Sequence, residues 1–173
     1  YTVPCLFLLL TSKKEVLYNA AFSHIKVLCK GYNYNIETKS VMLDYEISPR
    51  NAIKFNFEQI KPKDDYFHFT QCLWKQARKE KLCESLILED TYILIASLQI
   101  LIHVCKEKRQ DYFQDIKSCF IQKNKLFKDF LSYYEENWLS NAFIDFKSLD
   151  KEELLDRTNN ICEGFNSIFN KHI

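Results

Sequence analysis

The chain has 173 residues, enough for one domain with a sizeable buried core, and 47% of them are hydrophobic. Its 24 basic and 23 acidic residues nearly cancel, so the total charge gives no argument for nucleic-acid binding. Seven cysteines include no C-x-x-C pair, which excludes a zinc ribbon and a C-x-x-C redox motif, and their odd number is typical of reduced thiols in cytoplasm or nucleus.

The first half of the chain predicts alternating strands and helices. It begins with a continuous apolar run, typical of a strand buried on both faces. Ser12 and Ser48 are expected to cap helices, the second with Pro49 at its first position, and Gly31 is expected to end the first helix. The predicted elements are a strand at 1–10, a helix at 12–28, a strand at 40–43, a helix at 48–57, a strand at 59–62 and a helix at 65–81. This alternation indicates an α/β core.

The second half of the chain predicts helices only. Segments 89–105, 108–121 and 124–136 carry apolar residues at helical spacing and no strand signal. The apolar run in the first of them contains Gln99 and is shorter than the roughly 20 residues that cross a bilayer, so a core helix is expected and no membrane partner. Residues 137–149 predict irregular structure, and a last helix is expected after Thr158.

Two carboxylates are candidates for metal-dependent chemistry. Asp44 follows a predicted strand, and Glu163 lies in the first turn of the last predicted helix. Phosphodiester cleavage can use two divalent metals about 3.5–4 Å apart, and magnesium prefers oxygen ligands. Both residues also have an ordinary structural interpretation, since Asp44 could end a strand before a turn and Asn160 with Glu163 approximates a capping box.

Three segments together resemble the catalytic domain of Mutator-like (MULE) DDE transposases. They are VMLDYE at 41–46, DYFHFTQCLW at 65–74 and RTNNICEGFN at 157–166. Asp44 matches the second carboxylate of the family and Glu163 the third. The resemblance implies that both bind Mg²⁺ or Mn²⁺ in a two-metal site of the complete domain. Asp65 and His68 match the family's [Cys/Asp]-x-x-His motif.

The resemblance also implies supporting residues and partners. Glu46, Asp65, His68 and Asn160 are expected to support the metal ligands. The implied partner is DNA, both transposon ends and target, with a homo-oligomer in the synaptic complex and a nuclear location. Candidate DNA contacts are Arg157, Asn159, Lys75 and Arg78. The first two precede a helix whose N-terminus favours a phosphate, and the other two belong to a basic cluster of the kind usually found on solvated helix faces.

The fold implied by the resemblance is α/β: a partial ribonuclease-H-like core with a large all-α insertion, predominantly helical. The expected domains are a partial core at 1–85, a helical insertion at 86–149 and a returning core helix at 150–173. In the sheet order 3-2-1-4-5 of that fold, residues 1–10 resemble the third strand. Strands one and two, with the first carboxylate, have no counterpart, so the chain is expected to be a partial domain.

Two other interpretations remain open. The chain could be a non-catalytic relative, decayed or adopted by its host, that acts as a DNA-binding or protein-interaction module. It could also be an unrelated helical interaction domain whose motif matches are coincidental.

Overall fold

The computed structural model describes residues 6–140, which are predominantly helical and include a two-stranded parallel sheet. The helices are α1 (Glu15–Gly31), α2 (Ile47–Asn56), α3 (Tyr66–Lys79), α4 (Leu88–Ile100), α5 (Lys106–Lys123) and α6 (Phe127–Tyr134). The strands are β1 (Ser40–Leu43) and β2 (Lys61–Asp64). A 3-10 turn at Leu101–His103 follows α4, and a π-helical turn at Glu135–Leu139 follows α6. Within this range no helix is long and apolar enough to span a membrane.

The predicted order of helices and strands from α1 to α6 is confirmed, with small shifts at the ends. The predicted helix at 89–105 ends earlier, because the backbone turns extended at Val104. There the Arg109 guanidinium donates hydrogen bonds to the carbonyl oxygens of Leu101, Ile102 and Val104. These are carbonyls that the end of a helix leaves without an intrahelical partner, so Arg109 stabilises the break between α4 and α5.

The predicted N-caps are wrong. α1 is capped by Lys14 and α2 by Glu46, and neither cap side chain bonds to the helix. Ser48 lies inside the first turn of α2, since a tight turn after β1 starts the helix before it.

The predicted stop at Gly31 is in the right place but has another cause. The left-handed residue is Asn33, with φ 55°. Its amide donates to the Lys30 carbonyl, and the Tyr34 amide donates to the Cys29 carbonyl at 2.8 Å. This pair of bonds is a Schellman motif, and asparagine tolerates its left-handed position.

The predicted strand at 1–10 is wrong over its described part. Residues 6–10 are not in a strand, and Leu9 is 87% exposed. A strand requires a hydrogen-bonded neighbour, and between residues 6 and 140 the sheet consists of β1 and β2.

The described residues divide into two compact units, called here the first unit (6–65) and the second unit (66–140). In the first unit, α1 and α2 pack together, and Ile53, Phe57 and Ile60 form a buried cluster with Phe22 and Val41 against it. In the second unit, α3 packs on α4 and α6. The domain boundary predicted near residue 85 marks the change from alternating strands and helices to helices only. The division by packing falls between Asp65 and Tyr66, before α3.

Candidate functional site

The two strands of the first unit end side by side, each at an acidic residue. β1 and β2 are parallel, and Leu43 is in register with Asp64. Beyond this pair, the Asp65 amide donates a hydrogen bond of 3.2 Å to the Leu43 carbonyl oxygen. The carboxyl ends of parallel strands form the edge of an α/β sheet where ligands bind. Asp44 and Asp65 therefore follow neighbouring strands at the same edge.

One face of this small sheet packs on the helix between the strands. Val41 and Leu43 pack against the buried cluster under α2, and Asp64 pairs with Arg50 of the same helix. Asp44 and Asp65 are the residues that directly follow the two strands. Asp65 is fully buried and Asp44 is partly buried. The edge thus combines two carboxylates that are shielded from bulk water to different degrees.

Glu46 is placed by a tight turn and bound by α1. Its amide donates to the Asp44 carbonyl at 2.7 Å, the two-residue spacing of a γ-turn at a strand end. Its carboxylate accepts a hydrogen bond from Lys13 Nζ, and this contact raises the pKa of Lys13. Burial raises the pKa of Tyr18, and the Glu46 and Asp44 charges add to that rise. Glu46 therefore has a local partner in Lys13.

Arg50 and Asp64 form a buried ion pair behind this edge. Their side chains are 6% and 0% exposed, and Arg50 Nη2 donates to Asp64 Oδ1. The pair ties α2 to the last residue of β2, directly before Asp65. Neither residue is predicted from the sequence as part of a site. The one sequence feature that could have indicated a buried pair is the Asp64-Asp65 doublet. Arg50 gave no indication, because an arginine in a helix is normally exposed to solvent.

The Asp-x-x-His motif is divided between the two units. Asp65 ends the first unit, and His68 lies in the first turn of α3 in the second unit, where it is partly buried. Its neighbour Phe69 is fully buried, with its ring centroid 4.6 Å from that of Trp138. Trp74 packs against Tyr92 at the same centroid distance. The aromatic part of the motif therefore serves the core of the second unit.

Lys75 and Arg78 lie on the exposed face of α3. The buried positions of this helix are Phe69, Leu73 and Ala77, and the two cations lie off that stripe. Neither of them makes an ion pair within residues 6–140, unlike Lys117 and Lys123, which pair with carboxylates. Both are therefore accessible to a phosphate.

The other candidate residues, Glu163, Asn160, Asn159 and Arg157, lie outside the described range. Over residues 6–140, no three His, Cys, Asp or Glu side chains converge as a metal site. Asp44 supplies the oxygen chemistry that Mg²⁺ prefers, and the partner carboxylate implied for it is Glu163. Comparison of the chain with protein-family models, curated proteins and solved structures gave no match.

Proposed function

We propose that this chain is part of the catalytic domain of a MULE-type DNA transposase, with a ribonuclease-H-like core. The observation that supports this most is the shared sheet edge of Asp44 and Asp65, whose strand ends are joined by the bond from the Asp65 amide to Leu43. In the family, these two positions belong to separate motifs. A coincidental match of sequence would not require the two motifs to meet at one edge.

The order of elements supports the same proposal. In the sheet order 3-2-1-4-5, strands four and five are neighbours. β1 and β2 follow one another in the chain with α2 between them and lie side by side, as strands four and five would. In this proposal α3 belongs to the core, and α4, α5 and α6 belong to the all-α insertion at 86–149 that precedes the third carboxylate.

Each residue has a role in this proposal. Asp44 and Glu163 would hold Mg²⁺ or Mn²⁺, and the bound metal would supply charge neutralisation at the scissile phosphate and a lower pKa for the attacking water. Hydrolysis at a transposon end would free a 3′ hydroxyl, which would attack a target phosphodiester and displace a target 3′ oxygen. Asp65, His68 and Asn160 are the proposed supporting residues of this chemistry. Glu46 is a supporting residue, and its carboxylate accepts a hydrogen bond from Lys13, two residues before α1.

DNA is the proposed partner, with Lys75, Arg78, Arg157 and Asn159 as backbone contacts and a homo-oligomer in the synaptic complex. A nuclear location follows from the same proposal. The second candidate is a non-catalytic relative that binds DNA or protein. The accessible cations Lys75 and Arg78 favour it, because phosphate contact by an exposed helix face needs no metal.

Manganese titration of the full chain tests the catalytic proposal without requiring turnover. Binding is followed by the loss of the free Mn²⁺ electron paramagnetic resonance signal. We expect Asp44→Asn and Glu163→Gln each to abolish the same binding event, because each removes a charged oxygen ligand. Asp111→Asn, on the exposed surface of α5, is the matched control and should leave it unchanged. Equal titrations for all four proteins would contradict the metal assignment and leave the second candidate.

A further inference from the structure

A cavity of about 700 Å³ lies in the first unit, where α1 and α2 end. This volume is within the range of small-molecule sites. Its lining combines amides, aromatic rings and lysines, among them Lys30, Asn33, Tyr34, Asn35, Phe57 and Gln59. The lining includes no acidic residue among those described, so the cavity is unsuited to a cation.

One wall of the cavity is fixed by its own hydrogen bonds. The Asn56 side chain donates to Asn19 and to the Ala52 carbonyl and accepts from Ser23. Lys26 Nζ donates to the Asn56 carbonyl and lies 5.7 Å from the centroid of the Phe57 ring. Asn56 and Lys26 are therefore engaged within the protein and form a rigid wall.

The rest of the lining includes polar side chains that are exposed to solvent. Within residues 6–140, the side chains of Lys30, Asn33, Asn35 and Gln59 make no hydrogen bond or ion pair. Tyr34 is 66% exposed. The Schellman motif fixes the backbone of Lys30, Asn33 and Tyr34, so little ordering of this segment is needed when a ligand binds.

These groups match the parts of a nucleotide. An exposed tyrosine ring is a platform on which a base stacks, and carboxamides read the donor and acceptor pattern of a base edge. Lys26 donates a hydrogen bond to the Asn56 carbonyl at the end of α2. Lys30 is the other lysine among the described lining residues, and its ammonium group can bind a phosphate. A nucleotide uses all three kinds of group, because its base offers a ring face and a polar edge and its phosphate offers a negative charge.

We propose that this cavity binds one nucleotide of an unpaired nucleic-acid strand. The base stacks on Tyr34, its edge faces Asn33, Asn35 and Gln59, and its phosphate contacts Lys30. Asp44 does not line the cavity, and binding there does not depend on it.

Fluorescence anisotropy with a short labelled single-stranded oligonucleotide tests this site. We expect Tyr34→Ala to weaken binding by about 5- to 150-fold, since stacking of a base contributes about 1–3 kcal/mol. Lys30→Ala should reduce the slope of log affinity against log salt by about 0.7, as for one lost phosphate contact on a single strand. The matched controls are Tyr32→Ala and Lys54→Ala, whose side chains are exposed but do not line the cavity.

The outcomes separate the site from general affinity for nucleic acid. Selective loss in the two cavity variants supports the proposal, and displacement of the strand by an unlabelled mononucleotide would identify free nucleotides as a second source of the same ligand. Equal losses in cavity and control variants, or no binding by the unmodified chain, would overturn it. Failure of the manganese titration would not affect this result, because Asp44 and Glu163 are unchanged in all four variants.

Discussion

The Asp65 amide and the Leu43 carbonyl oxygen are joined by a hydrogen bond of 3.2 Å. Leu43 directly precedes Asp44, so this bond holds the ends of β1 and β2 level and brings two motif carboxylates to one edge of the sheet. Arg50 anchors the same strand end from α2 through Asp64. The edge is therefore built by the backbone ladder and one buried ion pair.

Removing one partner of that ion pair should destabilise the first unit strongly. We expect Arg50→Met to lower the free energy of unfolding by about 3–5 kcal/mol, because it removes the cation that pairs with the buried Asp64 carboxylate. The measurement is urea unfolding followed by circular dichroism. Lys13→Ala, which breaks the exposed pair with Glu46, is the control and should leave the midpoint unchanged.

The double variant Arg50→Met with Asp64→Leu separates the charge effect from a packing effect. It should recover most of the loss, since neither charge remains buried. A midpoint for Arg50→Met equal to that of the unmodified chain would contradict the structural role of the pair.

The two phenylalanines of the Asp-x-x-His segment should differ in their effect on stability. Phe69 is fully buried against Trp138, whereas Phe67 is 37% exposed. Phe69→Ala should cost about 3–5 kcal/mol through lost burial and the remaining cavity. Phe67→Ala should lower the free energy of unfolding clearly less. Thermal unfolding of both variants measures the difference, and equal losses of stability would show that the segment packs differently.

Glu80 should make the second unit less stable as the pH rises. One of its carboxylate oxygens is buried without a hydrogen-bond partner, and burial raises its pKa, with the Asp129 charge adding to the rise. A raised folded pKa means that the folded state binds the proton more tightly. Stability from this group is therefore full below the unfolded pKa of about 4.3 and is lost as the pH rises through the folded pKa.

Glu80→Gln removes this charge and keeps an oxygen to accept the bond from Gln76. We expect a higher melting temperature than the unmodified chain at neutral pH and a smaller difference at pH 4. Glu84→Gln, at an exposed position, is the matched control. A lower melting temperature for Glu80→Gln at neutral pH would disprove this account of the buried carboxylate.

The exposed cations of α3 should contribute to DNA affinity in a salt-dependent way. Lys75→Ala and Arg78→Ala should each reduce the slope of log affinity against log salt by about 0.9 for duplex DNA, without changing stability. Anisotropy titrations at several salt concentrations measure it. The control is the double variant Lys125→Ala with Lys128→Ala, exposed lysines of another segment, and an equal effect there would indicate non-specific charge attraction instead.

The order of elements could be predicted from sequence because each depends mostly on local pattern. Hydrophobic spacing predicted α4, α5 and α6, and the short apolar run ending at Leu43 predicted β1 with its bounds. The errors arose where nonlocal or turn geometry decides. Arg109 stabilises the end of the helix after α4 through its bond to the Leu101 carbonyl. After α1, the residue in the left-handed conformation is Asn33 rather than Gly31.

The candidate site could be predicted in part. Asp44 and Asp65 were identified from motifs, but their shared edge depends on the pairing of β1 with β2, which no local pattern specifies. Arg50 and Asp64 were missed because a buried ion pair is a tertiary feature of two ordinary charged residues. The cavity at Tyr34 was missed for the same reason, since its lining comes from two helix ends and the segments that follow them.

A crystal structure of the full chain soaked in Mn²⁺ tests the central claim most directly. We expect anomalous density for a manganese ion, with carboxylate oxygens of both Asp44 and Glu163 about 2 Å from the ion. Carboxylates of these two residues more than about 8 Å apart, further than a two-metal site spans, would contradict it and leave a helical protein whose motif matches are coincidental.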